Sequence, residues 1–263
     1  MVQNDRFMEK GNSSKLAYNQ DLVFGTRAVL ESIRSGKDID KLMIQKGLNN
    51  PLIRELTDEA KKFNVPINIV PFEKLNRITR KNHQGAICFI SSVIYASLDN
   101  IITRSYEQGK NPFILILDRV TDVRNFGAIA RTAEVAGMDA IVIPSRGSAS
   151  INSDAMKTSA GGLNYIPICR EPNLKLTIKN LQDNGIQVVA CTEKTDQEVY
   201  DLDLTPPTAI IMGSEEDGIS PEYLKMVDQK GKFPVLGNIA SLNVSVASAL
   251  IIYEGVRQRK TNS

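Results

Sequence analysis

Apolar residues occur in short groups along the first third of the chain, separated by polar stretches with glycine, proline or asparagine. Residues 1–20 are polar and predict a flexible tail. Strand-like apolar runs then alternate with segments of helical spacing, which predict helices over 26–35 and 51–63. A shorter helical segment and an apolar strand at 86–90 follow. This alternation predicts a small α/β domain over residues 21–95.

The rest of the chain predicts a second, larger α/β domain. Residues 96–112 have few apolar positions and predict a linker with no more than one helical turn. Over residues 113–263, near-continuous apolar runs alternate with helical segments, which is typical of a parallel sheet covered by helices on both faces. The strands are predicted at 113–117, 140–143, 165–168, 187–191 and 209–212, with a short one at 233–235.

Polar loops follow three of these strands, at the edge where parallel sheets bind their ligands. The first loop leads to Asn125 and into a helix that contains Arg131. The second loop covers residues 213–218, and the third reaches Ser241 and Asn243. We expect the three loops to converge in one pocket.

The composition is that of a globular protein with a sizeable core, because 42% of the 263 residues are hydrophobic and 24% are charged. No apolar run reaches the roughly 18 residues of a membrane span, and the polar N-terminus does not resemble a secretion signal. We therefore expect a cytoplasmic protein.

The charge is distributed unevenly between the two parts of the chain. Residues 1–110 carry 17 Lys and Arg against 12 Asp and Glu, a net charge of +5, whereas residues 111–263 carry 15 against 18, a net charge of −3. A modest basic excess is typical of a module that contacts phosphates, and it is also typical of an ordinary solvated surface. Charge alone leaves both interpretations open.

The residues that the chain lacks exclude several enzyme classes. His83 is the only histidine, and the three cysteines lie far apart, so we expect no metal site. The single histidine also argues against hydrolases with a histidine-activated nucleophile, unless His83 itself is the base. Neither a Walker-type loop nor a Gly-x-Gly-x-x-Gly fingerprint is present, which disfavours nucleotide hydrolases and nicotinamide enzymes.

The polar residues of the three loops each allow two interpretations. The acidic residues 215–217 could hold an amino group or a ribose hydroxyl, or could cap the helix that follows. Arg131 is either a buried ion-pair partner or a site residue. Ser241 is predicted to cap the last helix and Asn243 to lie in its first turn, either as ordinary caps or as ligands of a substrate. That helix is apolar nearly all round, so we expect it to be buried.

Taken together, the three loops resemble the three motifs of the SpoU, or TrmH-type, RNA ribose 2'-O-methyltransferases of the SPOUT superfamily. The similar stretches are Asn125-Phe-Gly-Ala-Ile-Ala-Arg131-Thr-Ala, Gly213-Ser-Glu-Glu-Asp-Gly218 and residues 234–245. The first domain is also similar: residues 24–33 resemble the opening of the family's N-terminal RNA-binding domain, and residues 83–87 its closing signature. That domain has a fold related to a ribosomal protein.

The resemblance implies properties that hydrophobic periodicity cannot show. It implies a C-terminal SPOUT domain with a deep trefoil knot, S-adenosylmethionine as cofactor, and a homodimer formed through that domain. The likeness is greatest to the bacterial branch that methylates a guanosine ribose in 23S ribosomal RNA, and transfer RNA is the alternative substrate. A catalytically silent RNA-binding relative and an unrelated small-molecule α/β enzyme are the competing interpretations.

The resemblance also implies a role for individual residues. The implied catalytic residues are Asn125, Arg131, Glu215, Ser241 and Asn243. The implied cofactor contacts are Thr192, Gly213, Phe233 and Leu242. Arg77, Arg80 and Lys81 are the candidate phosphate contacts of the first domain, and His83 beside them is a structural or RNA-stacking residue.

The reaction requires a base, because the ribose hydroxyl has to lose a proton. The family's arginine is commonly proposed for this role, yet a guanidinium has a pKa above about 12 and is a poor proton acceptor. We therefore expect Arg131 to stabilise the developing alkoxide and to bind an adjacent phosphate. Glu215, or a water held by Asn125, is the expected proton acceptor.

Overall fold

The structure, a computed structural model, describes residues 22–261, so the predicted tail at 1–20 lies outside the described residues. The first unit is a four-stranded sheet with the order β1-β4-β2-β3. Helices α1 and α2 pack on one of its faces and the short α3 on the other. Its elements are β1 (Leu22–Phe24), α1 (Thr26–Arg34), β2 (Ile39–Gln45), α2 (Pro51–Lys62), β3 (Ile67–Val70), α3 (Phe72–Ile78) and β4 (Ala86–Ile90).

The second unit is a seven-stranded sheet with the order β11-β9-β10-β6-β7-β8-β5, and all its strand pairs are parallel. Apolar clusters bury both faces, which confirms the predicted α/β class. Its strands are β5 (Tyr95–Ala96), β6 (Phe113–Leu117), β7 (Ala140–Pro144), β8 (Ile168–Glu171), β9 (Gln187–Cys191), β10 (Thr208–Met212) and β11 (Gln229–Gly231). Its helices are α4 (Leu98–Glu107), α5 (Val123–Val135), α6 (Ser153–Thr158), α7 (Leu174–Asp183), α8 (Pro221–Leu224) and α9 (Val244–Thr261).

Two predicted strands lie elsewhere in the structure. The strand predicted at 165–168 is observed at Ile168–Glu171, because a 3₁₀ turn at Gly162–Asn164 leaves Tyr165 exposed ahead of it. The strand predicted at 233–235 is observed at Gln229–Gly231. That strand lies at the edge of the sheet and is polar, so its sequence lacks the apolar run on which the prediction relied.

The predicted linker at 96–112 is largely ordered. Tyr95 and Ala96 pair with β8, and a ten-residue helix follows, with Ser97 accepting a hydrogen bond from the Asn100 backbone N–H (3.4 Å). Leu98 and Ile102 of this helix are buried against the sheet. The prediction of one helical turn at most was wrong, because so few apolar side chains suffice when they share one helix face.

Hydrogen bonds join the two units at the start of β2. The Asp40 carboxylate accepts from the Tyr95 hydroxyl and from the Ile151 backbone N–H (3.0 Å). Arg170 donates to the Ile39 carbonyl (2.6 Å), and its guanidinium lies 4.0 Å from the centre of the Tyr95 ring. Burial raises the pKa of the Asp40 carboxyl. The joint therefore lies at one end of the small sheet and leaves the opposite end free of the second unit.

The end of α9 is anchored to the sheet through Arg259. Its guanidinium stacks on Phe113 at 4.2 Å, and burial lowers its pKa to about 10. It donates to backbone carbonyls of the segments that enter β6 and β10, namely those of Asn111, Pro112, Leu204 and Pro206. The anchor sets α9 beside α5, so the first turns of both helices lie at the carboxyl edge of the sheet.

Candidate active site

A cavity of about 760 Å³ opens at the carboxyl ends of β9, β10 and β11. The loops after these strands form its walls, and the buried side chains of Met212 and Val244 contribute an apolar lining. Glu193, Glu216 and Asp217 add carboxylates. Six of the residues predicted for the site line it: Thr192, Gly213, Glu215, Phe233, Ser241 and Leu242.

The loop after β10 folds back on itself at Gly213. Ser214 and Gly218 exchange backbone hydrogen bonds of 3.2 and 3.0 Å. A Cβ atom at position 213 would lie 2.0 Å from the carbonyl carbon of Gly218 and 2.2 Å from the nitrogen of Ile219. Only glycine fits so close an approach between two backbone segments. The fold of the loop puts its acidic residues on the cavity wall.

Asp118 and Arg119 directly follow β6, the strand beside β10, and their side chains bond to this loop and to the residues just after it. Asp118 is only 2% exposed, and its Oδ2 accepts from the backbone N–H and the hydroxyl of Ser220, both at 2.7 Å. Arg119 donates to Asp217 (2.9 Å) and to the Gly218 carbonyl (3.1 Å). Sequence reasoning missed both residues, although their position directly after a central strand is a signal that could have identified them.

Asn125, Glu215 and Asn243 form one hydrogen-bonded cluster, and Glu215 joins this cluster to the wall of the cavity. The Asn125 amide donates to Glu215 Oε1 at 2.9 Å, and the Asn243 amide donates to the same oxygen. Asn243 also donates to the Asn125 carbonyl oxygen at 3.2 Å. Three loops that are far apart in sequence thus place three of the predicted catalytic residues in mutual contact.

Helix caps orient both asparagines. Asp122 accepts from the Asn125 backbone N–H (2.8 Å), which fixes the first turn of α5. Asn243 directly precedes α9, and its Oδ1 accepts from the backbone N–H and the hydroxyl of Ser245 (2.9 and 2.6 Å). The prediction that Ser241 caps this helix was wrong, because the helix begins two residues later than expected. Ser241 is exposed on the cavity wall instead.

The two carboxylate oxygens of Glu215 differ in their hydrogen bonds. Both amide donors bond to Oε1, while no group in residues 22–261 donates a hydrogen bond to Oε2. A carboxylate held in this way can accept a proton through its second oxygen from a hydroxyl placed beside the cavity.

Arg131 lies away from this cluster. It follows Asn125 by six residues on α5, which places it about 9 Å further along the helix and about 120° around it. Its side chain is exposed, and within the described part of the chain it makes no hydrogen bond or ion pair. The backbone at Gly162 packs against its Cα atom, and Val135 shares its exposed face.

The candidate RNA-binding residues of the first domain lie at the end of its sheet opposite the joint. Arg77, Arg80 and Lys81 are exposed, as a phosphate-binding surface requires. His83 is only 4% exposed: its Nδ1 accepts from the Gly85 backbone N–H (3.0 Å), and its Nε2 pairs with the Asn76 oxygen at 3.1 Å. Burial lowers its pKa. Of the two roles expected for His83, structural or RNA-stacking, the buried ring favours the structural one.

Within residues 22–261 no group of three or more His, Cys, Asp or Glu side chains is arranged to hold a metal ion. In the same range, no helix combines the length and the apolar character needed to cross a bilayer.

Comparison with known proteins gives matches across both units. Residues 112–253 match the SpoU rRNA methylase family, and residues 22–96 match the domain described as RNA 2'-O ribose methyltransferase substrate binding. The second match ends at the first strand of the large sheet, which is consistent with the observed joint.

Two bacterial proteins match nearly the whole chain. The putative TrmH family tRNA/rRNA methyltransferase YacO of Bacillus subtilis is 32% identical over 244 residues, which cover 93% of this chain and 98% of that protein. A putative TrmH family tRNA/rRNA methyltransferase of Staphylococcus saprophyticus is 34% identical over 238 residues, with coverages of 90% and 96%.

A solved structure has the same fold. The SpoU methyltransferase AviRb from Streptomyces viridochromogenes, in complex with the cofactor AdoMet, superposes with a TM-score of 0.59 at 24% identity, covering 91% of this chain and 90% of that one. The family match spans more than half of the chain, and the relatives match both of its domains. The resemblance seen in the sequence is thus confirmed, and the chain belongs to the SpoU rRNA methylase family.

Proposed function

We propose that this protein transfers a methyl group from S-adenosylmethionine to the ribose 2'-hydroxyl of a guanosine in 23S ribosomal RNA. The observation that carries the proposal is the cluster of Asn125, Glu215 and Asn243, which Glu215 joins to the wall of a cavity large enough for a cofactor. Both family matches name RNA methylation, and the substrate-binding match names the ribose 2'-oxygen.

The cavity fits S-adenosylmethionine chemically. Its apolar lining suits the flat adenine ring, and its carboxylates suit the cationic amino group and the ribose hydroxyls. The implied contacts Thr192, Gly213, Phe233 and Leu242 all line it. When bound, the cofactor supplies an electrophilic methyl group on a sulfonium. The chain contributes alignment, which can supply about 7–11 kcal/mol of the acceleration in favourable cases.

Glu215 is the proton acceptor in this proposal. Its Oε2 remains free for the ribose hydroxyl, while Asn125 and Asn243 fix the carboxylate through Oε1. Ser241, which lines the cavity, donates a hydrogen bond to the sugar in this proposal. No step requires a guanidinium to act as a base.

The protein is a homodimer in this proposal, formed through the outer face of α5 and α9. Helix α9 was expected to be buried all round, yet one apolar side of it is exposed. A closed two-fold interface would cover this stripe. It would also bring the outward-facing Arg131 of each chain towards its partner's site, where it binds a phosphate and stabilises the developing alkoxide. The exposed stripe comprises Val246, Leu250 and Tyr253, with Leu242 just ahead of the helix.

Mixing two inactive variants tests whether Arg131 acts across the dimer. Arg131→Ala and Glu215→Gln are each expected to be inactive, but co-refolded mixtures should regain about a quarter of the wild-type rate. Half of the dimers then contain one chain of each variant. Each of these dimers has one complete site, which combines the intact Glu215 of one chain with the intact Arg131 of its partner. Methyl transfer before and after mixing is the measurement. A mixture that stays inactive would show that Arg131 serves the site of its own chain.

The trefoil knot that the resemblance implies remains part of the proposal. The end of α9 is bound to the segment between β9 and β10: Gln258 donates to the Leu202 carbonyl (2.9 Å), and Arg259 donates to the carbonyls of Leu204 (2.9 Å) and Pro206 (2.6 Å). We also propose a cytoplasmic location, where ribosomal RNA is found.

Transfer of labelled methyl groups tests the function directly. The purified protein is incubated with methyl-labelled S-adenosylmethionine and total RNA from cells that lack the gene. We expect label in 23S ribosomal RNA, on the ribose of one guanosine. Label in transfer RNA would show that transfer RNA, and not ribosomal RNA, is the substrate. RNA binding without transfer would indicate a silent relative, and absence of RNA binding would favour a small-molecule enzyme.

A further inference from the structure

Phe72 is an exposed aromatic ring that the core of the first domain does not use. It is the first residue of α3 and is 47% exposed, outside the apolar cluster that packs this helix on the sheet. The His83 imidazole lies beside it, with 5.3 Å between the ring centres. Because hydrogen bonds hold His83 at both ring nitrogens, this support is rigid. A ring supported on one side and exposed to solvent can stack on another planar group.

Positive charge adjoins this ring. The Lys46 backbone N–H donates to the Val70 carbonyl (2.8 Å), which places the loop after β2 beside the start of α3. Glu73 is the only acidic residue between positions 71 and 85. This surface therefore complements a chain of phosphates. Its exposed cations lie on that loop, on α3 and directly after α3: Lys46, Lys74, Arg77, Arg80 and Lys81.

We propose that Phe72 stacks on an unpaired base of the RNA substrate while the neighbouring cations bind the adjacent phosphates. The inference rests on the proposed function, and it specifies the form of RNA that the first domain takes. A base inside a duplex is already stacked on both sides, so the ring gains a contact only from a nucleotide in a loop, bulge or end. The combination of aromatic ring and cations is typical of single-strand binding.

Phe63 provides a matched control in the same domain. It is 45% exposed at the end of α2, but α2 packs on the opposite face of the sheet. The Lys62 ammonium lies 5.5 Å from its ring centre and pairs with Glu59 at 3.6 Å. One face of the Phe63 ring is thus covered by its own chain, beside a carboxylate that disfavours phosphate.

The test compares the binding of an unstructured RNA oligonucleotide at several salt concentrations. Phe72→Ala should weaken binding about 5- to 150-fold, the range for one base–aromatic stack, with no change in the salt dependence. Arg77→Ala should reduce the salt dependence. Phe72→Trp and Phe63→Ala should retain wild-type affinity. Annealing the oligonucleotide to its complement should abolish the difference between wild type and Phe72→Ala.

Several results would overturn the stacking contact. Wild-type affinity of Phe72→Ala, an equal loss in Phe63→Ala, or an equal loss on duplex RNA would each do so. The binding assay needs no methyl transfer, so its outcome is independent of the catalytic proposal. With active protein, Phe72→Ala should raise the KM for RNA and leave kcat unchanged. Absence of transfer by the wild type would reject the proposed function alone.

Discussion

Replacement of Glu215 by glutamine is expected to lower the methyl-transfer rate by about 10²- to 10⁴-fold, the usual range for loss of a general base. Glutamine has nearly the same shape and retains an oxygen that can accept from Asn125 and Asn243, so the cluster keeps its geometry. The change removes the free carboxylate oxygen that receives the proton. The single-turnover rate at saturating RNA and cofactor is the measurement, with cofactor affinity determined separately by calorimetry.

Glu216→Gln is the matched control for this change. Glu216 neighbours Glu215 and lines the same cavity, but its exposed carboxylate is no part of the asparagine cluster. At saturating cofactor, the control variant should keep the wild-type single-turnover rate within a few-fold, whatever its effect on cofactor affinity. An equal loss in both variants would mean that negative charge around the cavity matters and proton transfer to Glu215 does not. A wild-type rate in Glu215→Gln would show that Glu215 is not the proton acceptor.

Replacement of Gly213 by alanine is expected to abolish cofactor binding and to destabilise the fold by about 1–3 kcal/mol. The new methyl group would meet backbone atoms of Gly218 and Ile219, which cannot rotate away as a flexible side chain can. The loop cannot move freely either, because Asp118 and Arg119 bond to it. Calorimetry with S-adenosylmethionine measures the first effect. Thermal unfolding measures the second, at about 2–4 °C per kcal/mol for a domain of this size.

Gly237→Ala separates this clash from a general effect of replacing glycine. Gly237 belongs to the loop between β11 and α9, other residues of which line the cavity, and no atom lies within 4 Å of the position that its Cβ would take. We expect cofactor affinity and melting temperature close to those of the wild type. Cofactor binding by Gly213→Ala at wild-type strength would contradict the close backbone approach as the reason for glycine there.

The central strands of the second sheet could be predicted because they are buried on both faces. Strands β6, β9 and β10 lie at or within one residue of their predicted positions, since continuous apolar runs mark doubly covered strands. Elements at the edge of the sheet could not be predicted in this way, because they lack such apolar runs. Strand β11 pairs on one side only and is polar, and α4 buries only a few apolar side chains.

The site was predictable to different degrees. The motifs predicted which polar residues follow the strands, and the structure brings Asn125, Glu215 and Asn243 into contact. Burial distinguished between the two roles expected for His83, because its ring is only 4% exposed and therefore fits the structural role better than the RNA-stacking one. The hydrogen bond between Asp118 and Ser220 could not be predicted, because the two residues are 102 positions apart in the sequence.

The sequence by itself determined the two α/β units, the parallel sheet and the family, because hydrophobic periodicity and short motifs depend on residues that are neighbours along the chain. Only the tertiary structure decided which polar groups meet. Asn125 and Glu215 are 90 residues apart, and they touch because β6 and β10 are adjacent in the sheet. The tertiary structure also decided that Arg131 and one side of α9 face outward, since exposure depends on how helices pack on the sheet and periodicity does not record it.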